Sequence, residues 1–201
     1  MTTAERRARE KARRRREILA AARREFFERG FHAPTVDDVA TRAEVSKGTI
    51  YLYFESKEEI LALLLLEGLD SLLQQIEDAC NSGSPRDAEA TLRSLASAYL
   101  AFCQTNPQYF RLIMAFDRGR FEESIPRDLY RRVLDQSLYG LELVAQSITA
   151  GMEAGEFCVQ DAWQAAGSLW AAMNGVLVLM AHPLRRQMLR ADLETMFQAT
   201  L

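Results

Sequence analysis

Residues 35–57, TVDDVATRAEVSKGTIYLYFESK, decide how this chain reads. Val36, Val39, Ala40 and Ala43 recur at helical intervals, so one face of a short helix is expected to be buried. A tight connection falls at Glu44–Val45. Ser46 is placed to cap a second helix, with Lys47, Gly48 and Thr49 at its start. Ile50 and Phe54, four residues apart, point inward, while Lys47, Thr49, Tyr51 and Tyr53 occupy the other face. A first helix across a duplex backbone, and a second with its N-terminal residues in the major groove, is helix-turn-helix geometry.

Upstream, AERRAREKARRRR (4–16) carries eight basic and two acidic side chains. It reads either as a solvated helical extension or as an arm along phosphates and the minor groove, where arginine is favoured. Ile18, Leu19, Ala22, Phe26 and Phe27 form the stripe of a first helix that ends at Gly30. Downstream, Ser56 starts a long helix with Glu58 and Glu59 in its first turn, running to about Cys80. Asn81–Pro85 reads as a loop.

Further helices are expected from Leu92 to Asn106, from Pro107 to Phe116, and from Pro126 to a stop at Gly155, with a charged loop at 117–125. Asp161 can cap the next helix. From Ala162 to Pro183 no residue carries a full charge, His182 being counted neutral. Trp163, Ala166, Trp170, Met173, Leu177 and Met180 form one apolar stripe there, and Ala165, Leu169, Ala172, Val176 and Leu179 a second. A helix apolar nearly all round must be buried on both sides or sit in lipid. Gln164, Ser168 and Asn174 interrupt it, which favours a protein interface. A last helix is expected over 184–200.

The pattern is all-α, with no alternating β-branched run. Residues 1–57 hold 14 Lys and Arg against 9 Asp and Glu, and 58–201 hold 11 against 19. The basic end suits a polyanion and the acidic remainder is repelled by one. Cys80, Cys103 and Cys158 are odd in number and far apart, which argues against a disulfide framework or metal site and for buried thiols in a reducing cytosol. With His32 and His182 the only histidines and no nucleophile or phosphate-binding motif, an enzyme is not expected. No cofactor or metal is expected.

With the helix before it, the 35–57 segment resembles the TetR family of one-component bacterial transcription regulators. The matching residues are Thr35, VDDVA (36–40), Ala43, Val45, SKGTIY (46–51), Tyr53-Phe54 and KEEI (57–60), preceded by ILAAARREFFERGF (18–31). Leu52 departs from the pattern, since relatives often carry tyrosine or another polar residue there.

The resemblance implies an all-α chain: a three-helix DNA-binding domain with a basic arm over 1–57, and a helical ligand-binding and dimerisation domain over 58–201. It implies that Lys47, Gly48 and Thr49 lie closest to base edges, while Thr35, Tyr51, Tyr53 and Lys57 hold the backbone. Ser46, and Arg13 and Arg14 of the arm, complete the expected DNA-binding set. A ligand pocket is expected among Phe102, Phe110, Met114, Phe116, Leu141, Trp163, Trp170, Met173 and Asn174, whose apolar character suits an apolar or aromatic small molecule. The implied protein is a cytoplasmic homodimer, joined through its last two helices, that represses from palindromic double-stranded DNA and does not engage a membrane. The alternatives are a regulator anchored by 162–183 and an architectural DNA-binding protein with no effector.

Overall fold

The computed structural model describes residues 2–82, 87–116, 125–158, 161–189 and 192–199. These form ten helices and no strand: α1 (Thr3–Arg29), α2 (Val36–Arg42), α3 (Lys47–Tyr51), α4 (Lys57–Ser82), α5 (Ala88–Thr105), α6 (Pro107–Phe116), α7 (Arg127–Glu153), α8 (Ala162–Met180), α9 (Pro183–Leu189) and α10 (Leu193–Gln198).

By compactness the backbone falls into two units. The first is Met1–Asp70 with Asn106–Leu134, and the second is Ser71–Thr105 with Asp135–Leu201. The core of the first gathers Ile18, Ala22 and Phe26 from α1, Val39 and Ala40 from α2, Ile50 from α3 and Ile60, Leu61, Ala62, Leu64, Leu65, Leu66 and Leu69 from α4. Leu112 of α6 and Leu129 and Val133 of α7 close the same core. Burial of this apolar set is the main stabilising contribution, at about 25 cal/mol per Å² removed from water.

The basic segment is helix from its start. Thr2 and Glu5 form a reciprocal capping box, and the helix runs without interruption to Gly30, whose φ of 82° favours a residue without Cβ. Among the described residues before Ile18 none is buried, and only Arg14 and Arg15 are half-buried, so the first four turns of α1 lie mostly in solvent.

In the second unit, Ala145 and Ile148 of α7 pack with Ala166 of α8. Glu156, just past α7, accepts hydrogen bonds from the amides of Ala88 and Glu89 at 2.9 and 3.3 Å and so caps α5. Asp161 caps α8 as expected, accepting from the Gln164 amide.

Several expectations are corrected. α4 extends to Ser82, taking in Asn81 and Ser82 of the expected loop; 83–85 and 117–124 lie outside the described residues. The single helix expected over 184–200 is two, because Asp192 takes an extended backbone and caps a new start at α10. Of the three cysteines only Cys103 is buried, and Cys158 is exposed. Val176 of the second stripe is buried within its own chain, while Trp163 and Trp170 of the first are 44% and 42% exposed. No described helix, α8 included, is long and apolar enough to cross a membrane.

Candidate nucleic-acid interface

The helix pair is fixed at each end by its own side chains. Thr35 caps α2 in a reciprocal box with Asp38. The Thr35 hydroxyl and amide donate to the Asp38 carboxylate at 2.6 and 2.7 Å, and Arg29 donates at 2.9 Å. These donors hold the Asp38 carboxyl well below the usual carboxylate range, the Thr35 hydroxyl foremost.

The turn between α2 and α3 reverses at Glu44, a non-glycine residue at φ 53°. Closure comes from the Val45 amide, which donates to the Ala40 carbonyl at 3.0 Å. Ser46 then caps α3, accepting from the Thr49 amide at 3.1 Å. Thr49 is half-buried, and its hydroxyl lies 2.9 Å from Ser46 Oγ, so part of its polar capacity is spent inside the cap.

The outer side of α3 presents Lys47, Gly48 and Tyr51 to solvent. Lys47 Nζ donates to Asp37 of α2 at 2.7 Å, a pair open to water on both sides. Gly48 is the most informative of the three: a Cβ built there would meet only Ser46 Oγ, at 3.7 Å. The fold therefore does not need glycine at this exposed position. Tyr51 and Leu52 are 50% and 74% exposed. Tyr53 is half-buried and packs on the core, so it sits further in than Tyr51.

Lys57 is half-buried. Its Nζ donates to the His32 carbonyl at 2.9 Å and stands 5.7 Å from the centre of the Phe26 ring. Burial draws its ammonium below the usual lysine pKa. It staples the start of α4 to the loop after α1, a role that its polarity alone did not suggest.

Arg13 and Arg14 lie in the first four turns of α1. Arg13 pairs with Glu10 and Glu17, and Arg14 reaches Glu17 at 3.3 Å. Arg15 does something else: its guanidinium lies 5.0 Å from the centre of the Phe54 ring and 3.9 Å from Glu59.

The sequence reading missed Glu25. It is buried on α1 and accepts from Arg29 at 2.6 Å and from Arg42 of α2 at 2.6 Å. Arg42 continues to Glu28 at 2.9 and 2.5 Å. This charged cluster locks α2 to α1 and so sets the angle at which α3 is presented.

The nine residues expected to line a ligand pocket divide between the units. Phe110, Met114 and Phe116 belong to the first, where all are half-buried and Phe116 meets Tyr130 at 5.7 Å between ring centres. Phe102, Leu141, Trp163, Trp170, Met173 and Asn174 belong to the second. There Phe102, Met173 and Asn174 are buried and Leu141 is half-buried.

The profile of the bacterial regulatory proteins of the tetR family matches residues 18–64, and that of the tetracyclin repressor-like C-terminal domain matches 92–201. The chain belongs to the tetR family. Within it, the HTH-type transcriptional repressor KstR2 of Mycobacterium tuberculosis is 30% identical over 145 residues, 72% of this chain and 69% of that one. The HTH-type transcriptional activator FasR of Mycolicibacterium smegmatis is 35% identical over 104 residues, 52% of this chain but only 47% of its own length. Among solved structures, FadR of Bacillus subtilis in complex with stearoyl-CoA has a TM-score of 0.66 at 22% identity, covering 92% of this chain and 94% of that one. This last likeness is one of fold. As a tetR-family member the chain is a DNA-binding, helix-turn-helix regulator of transcription.

Proposed function

We propose that this regulator is a repressor that binds a near-palindromic operator as a homodimer and is released by a long-chain acyl effector. The observation that carries the DNA reading is Gly48. A residue with no side chain stands on the exposed, capped end of α3, where internal packing does not ask for it. Close approach to another molecule is the remaining reason for a glycine there. Lys47 beside it pairs only with an exposed carboxylate that a base edge or phosphate can replace. Tyr51 is free to reach a flanking phosphate.

The homodimer is supported by large apolar side chains left exposed on α8 and α9: Trp163, Trp170, Leu179, Leu184 and Met188. Two copies would put one α3 in each of two successive major grooves. The effector class is suggested by relatives: the fatty acid metabolism regulator protein of Bacillus subtilis is 39% identical over 62 residues, and the FadR fold holds stearoyl-CoA. An effector that favours the DNA-free state would lower operator occupancy by mass action.

The test is selection of bound duplexes from a random pool, followed by titration with palmitoyl-CoA. The expected result is a two-fold symmetric motif whose occupancy falls as the acyl compound is added. Enrichment of no motif, with only salt-sensitive retention, would instead fit an architectural DNA-binding protein.

A further inference from the structure

Among the described residues two polar side chains are buried, Glu25 and Asn174, and they are satisfied very differently. Both carboxylate oxygens of Glu25 are paired with arginines. Asn174, on α8, is only 9% exposed, and its Oδ1 accepts from the Tyr99 hydroxyl of α5 at 2.5 Å. Its Nδ2, with two N–H groups, has no hydrogen-bond partner. Leaving a buried donor unpaired is among the costlier polar defects of a protein interior, and a leucine on this apolar helix would avoid it.

The surroundings narrow what would pair with that amide. Along α8 the next buried residues are Met173, Val176 and Leu177; along α5, one turn beyond Tyr99, they are Phe102 and Cys103. The Tyr99 hydroxyl turns Oδ1 toward itself and so directs Nδ2 away from it. A donor calls for an acceptor. No lysine or arginine is buried among the described residues, so a carboxylate would bring an uncompensated charge. A neutral carbonyl oxygen carried on an apolar chain meets both conditions.

We propose that Asn174, oriented by Tyr99, reads the effector by donating from Nδ2 to the neutral carbonyl oxygen of a long-chain acyl thioester. The apolar side chains of α5 and α8 receive the acyl chain. This deepens the effector-responsive reading above and rests on it.

The full-length wild-type protein is titrated with three probes: palmitoyl-CoA, S-hexadecyl-CoA, in which a methylene replaces the carbonyl, and palmitate. The wild type should prefer the thioester to the thioether by about tenfold, with palmitate weaker than the thioester. Asn174→Leu should bring the thioester down to the thioether's affinity and leave the thioether unchanged. Tyr99→Phe, which frees the amide to rotate, should give an intermediate ratio. If Asn174→Leu does not fold, the wild-type ratio decides alone. Equal wild-type affinity for thioester and thioether would overturn the carbonyl assignment and leave the acyl-effector reading standing. A wild type that binds none of the three probes would overturn both.

Discussion

The ring of Tyr109 occupies the space a side chain at residue 68 would need: a Cβ on Gly68 would lie 2.6 Å from Tyr109 Cδ1. The Tyr109 hydroxyl donates to Glu67 at 3.2 Å, and its ring meets Phe27 edge-on with centroids 4.9 Å apart. One residue of α6 is thereby gripped by α4 and α1 together. Gly68→Ala should displace the ring and destabilise the fold by roughly 1–3 kcal/mol, read as a lower urea midpoint. Truncating the ring in the same chain, as Tyr109→Leu, should relieve part of that strain. An unchanged midpoint for Gly68→Ala would show that the ring moves at no cost.

The Glu25 cluster predicts an asymmetry. Glu25→Leu removes a buried carboxylate and leaves Arg29 with Asp38 and Arg42 with Glu28. Arg42→Leu instead leaves that carboxylate with Arg29 alone. Losing one partner of a buried charge is the costlier change. Thermal unfolding should place the Tm of Arg42→Leu several degrees below that of Glu25→Leu. The reverse order would mean that Arg42 acts through its exposed pair with Glu28.

Asp38 gives the helix pair an acid sensitivity of known sign. Its folded pKa is depressed, by Thr35 first and Arg29 after, so its stabilisation is complete above the unfolded value of about 4. That stabilisation is lost as pH falls from there towards the folded value. The Tm gap between wild type and Asp38→Asn should therefore be full near neutral pH and shrink below about pH 4. A gap that does not change with pH would mean that the cap acts without its charge.

The helical basic rod should contribute affinity with no effect on the preferred sequence. Deleting residues 1–14 removes Arg13 and Arg14 and should make the salt dependence of DNA binding shallower, by roughly 0.9 log units for each phosphate no longer neutralised. The selected motif should stay the same. An unchanged slope would reduce the rod to a solvated extension of α1.

Caps and turn residues were the legible part. Ser46 and Asp161 each announce a helix start by type and position, and Gly30 a helix end; the cap at Thr35 became visible only with its partner Asp38. What the sequence hid were partners distant along the chain. Glu25 reads as one more acid on a charged helix until Arg42, 17 residues on, closes over it. Nothing local announces that Lys57 donates to the His32 carbonyl, 25 residues back. In α8 both stripes are apolar, so periodicity could not say which faces inward, and Trp163 and Trp170 proved exposed. Nor could any local pattern show that Asn106–Leu134 is compact with the N-terminal helices, since that depends on Leu112, Leu129 and Val133 completing their core.

The most direct test of the account separates folding from DNA reading at Gly48. A methyl group there has open space around it, and alanine is the better helix former by roughly 0.5–1 kcal/mol. Gly48→Ala should therefore keep or raise the Tm while weakening binding to the selected operator by about tenfold or more, as measured by fluorescence anisotropy at fixed salt. If affinity is unchanged and the Tm is kept, the end of α3 does not approach DNA closely, and the proposed recognition surface is wrong.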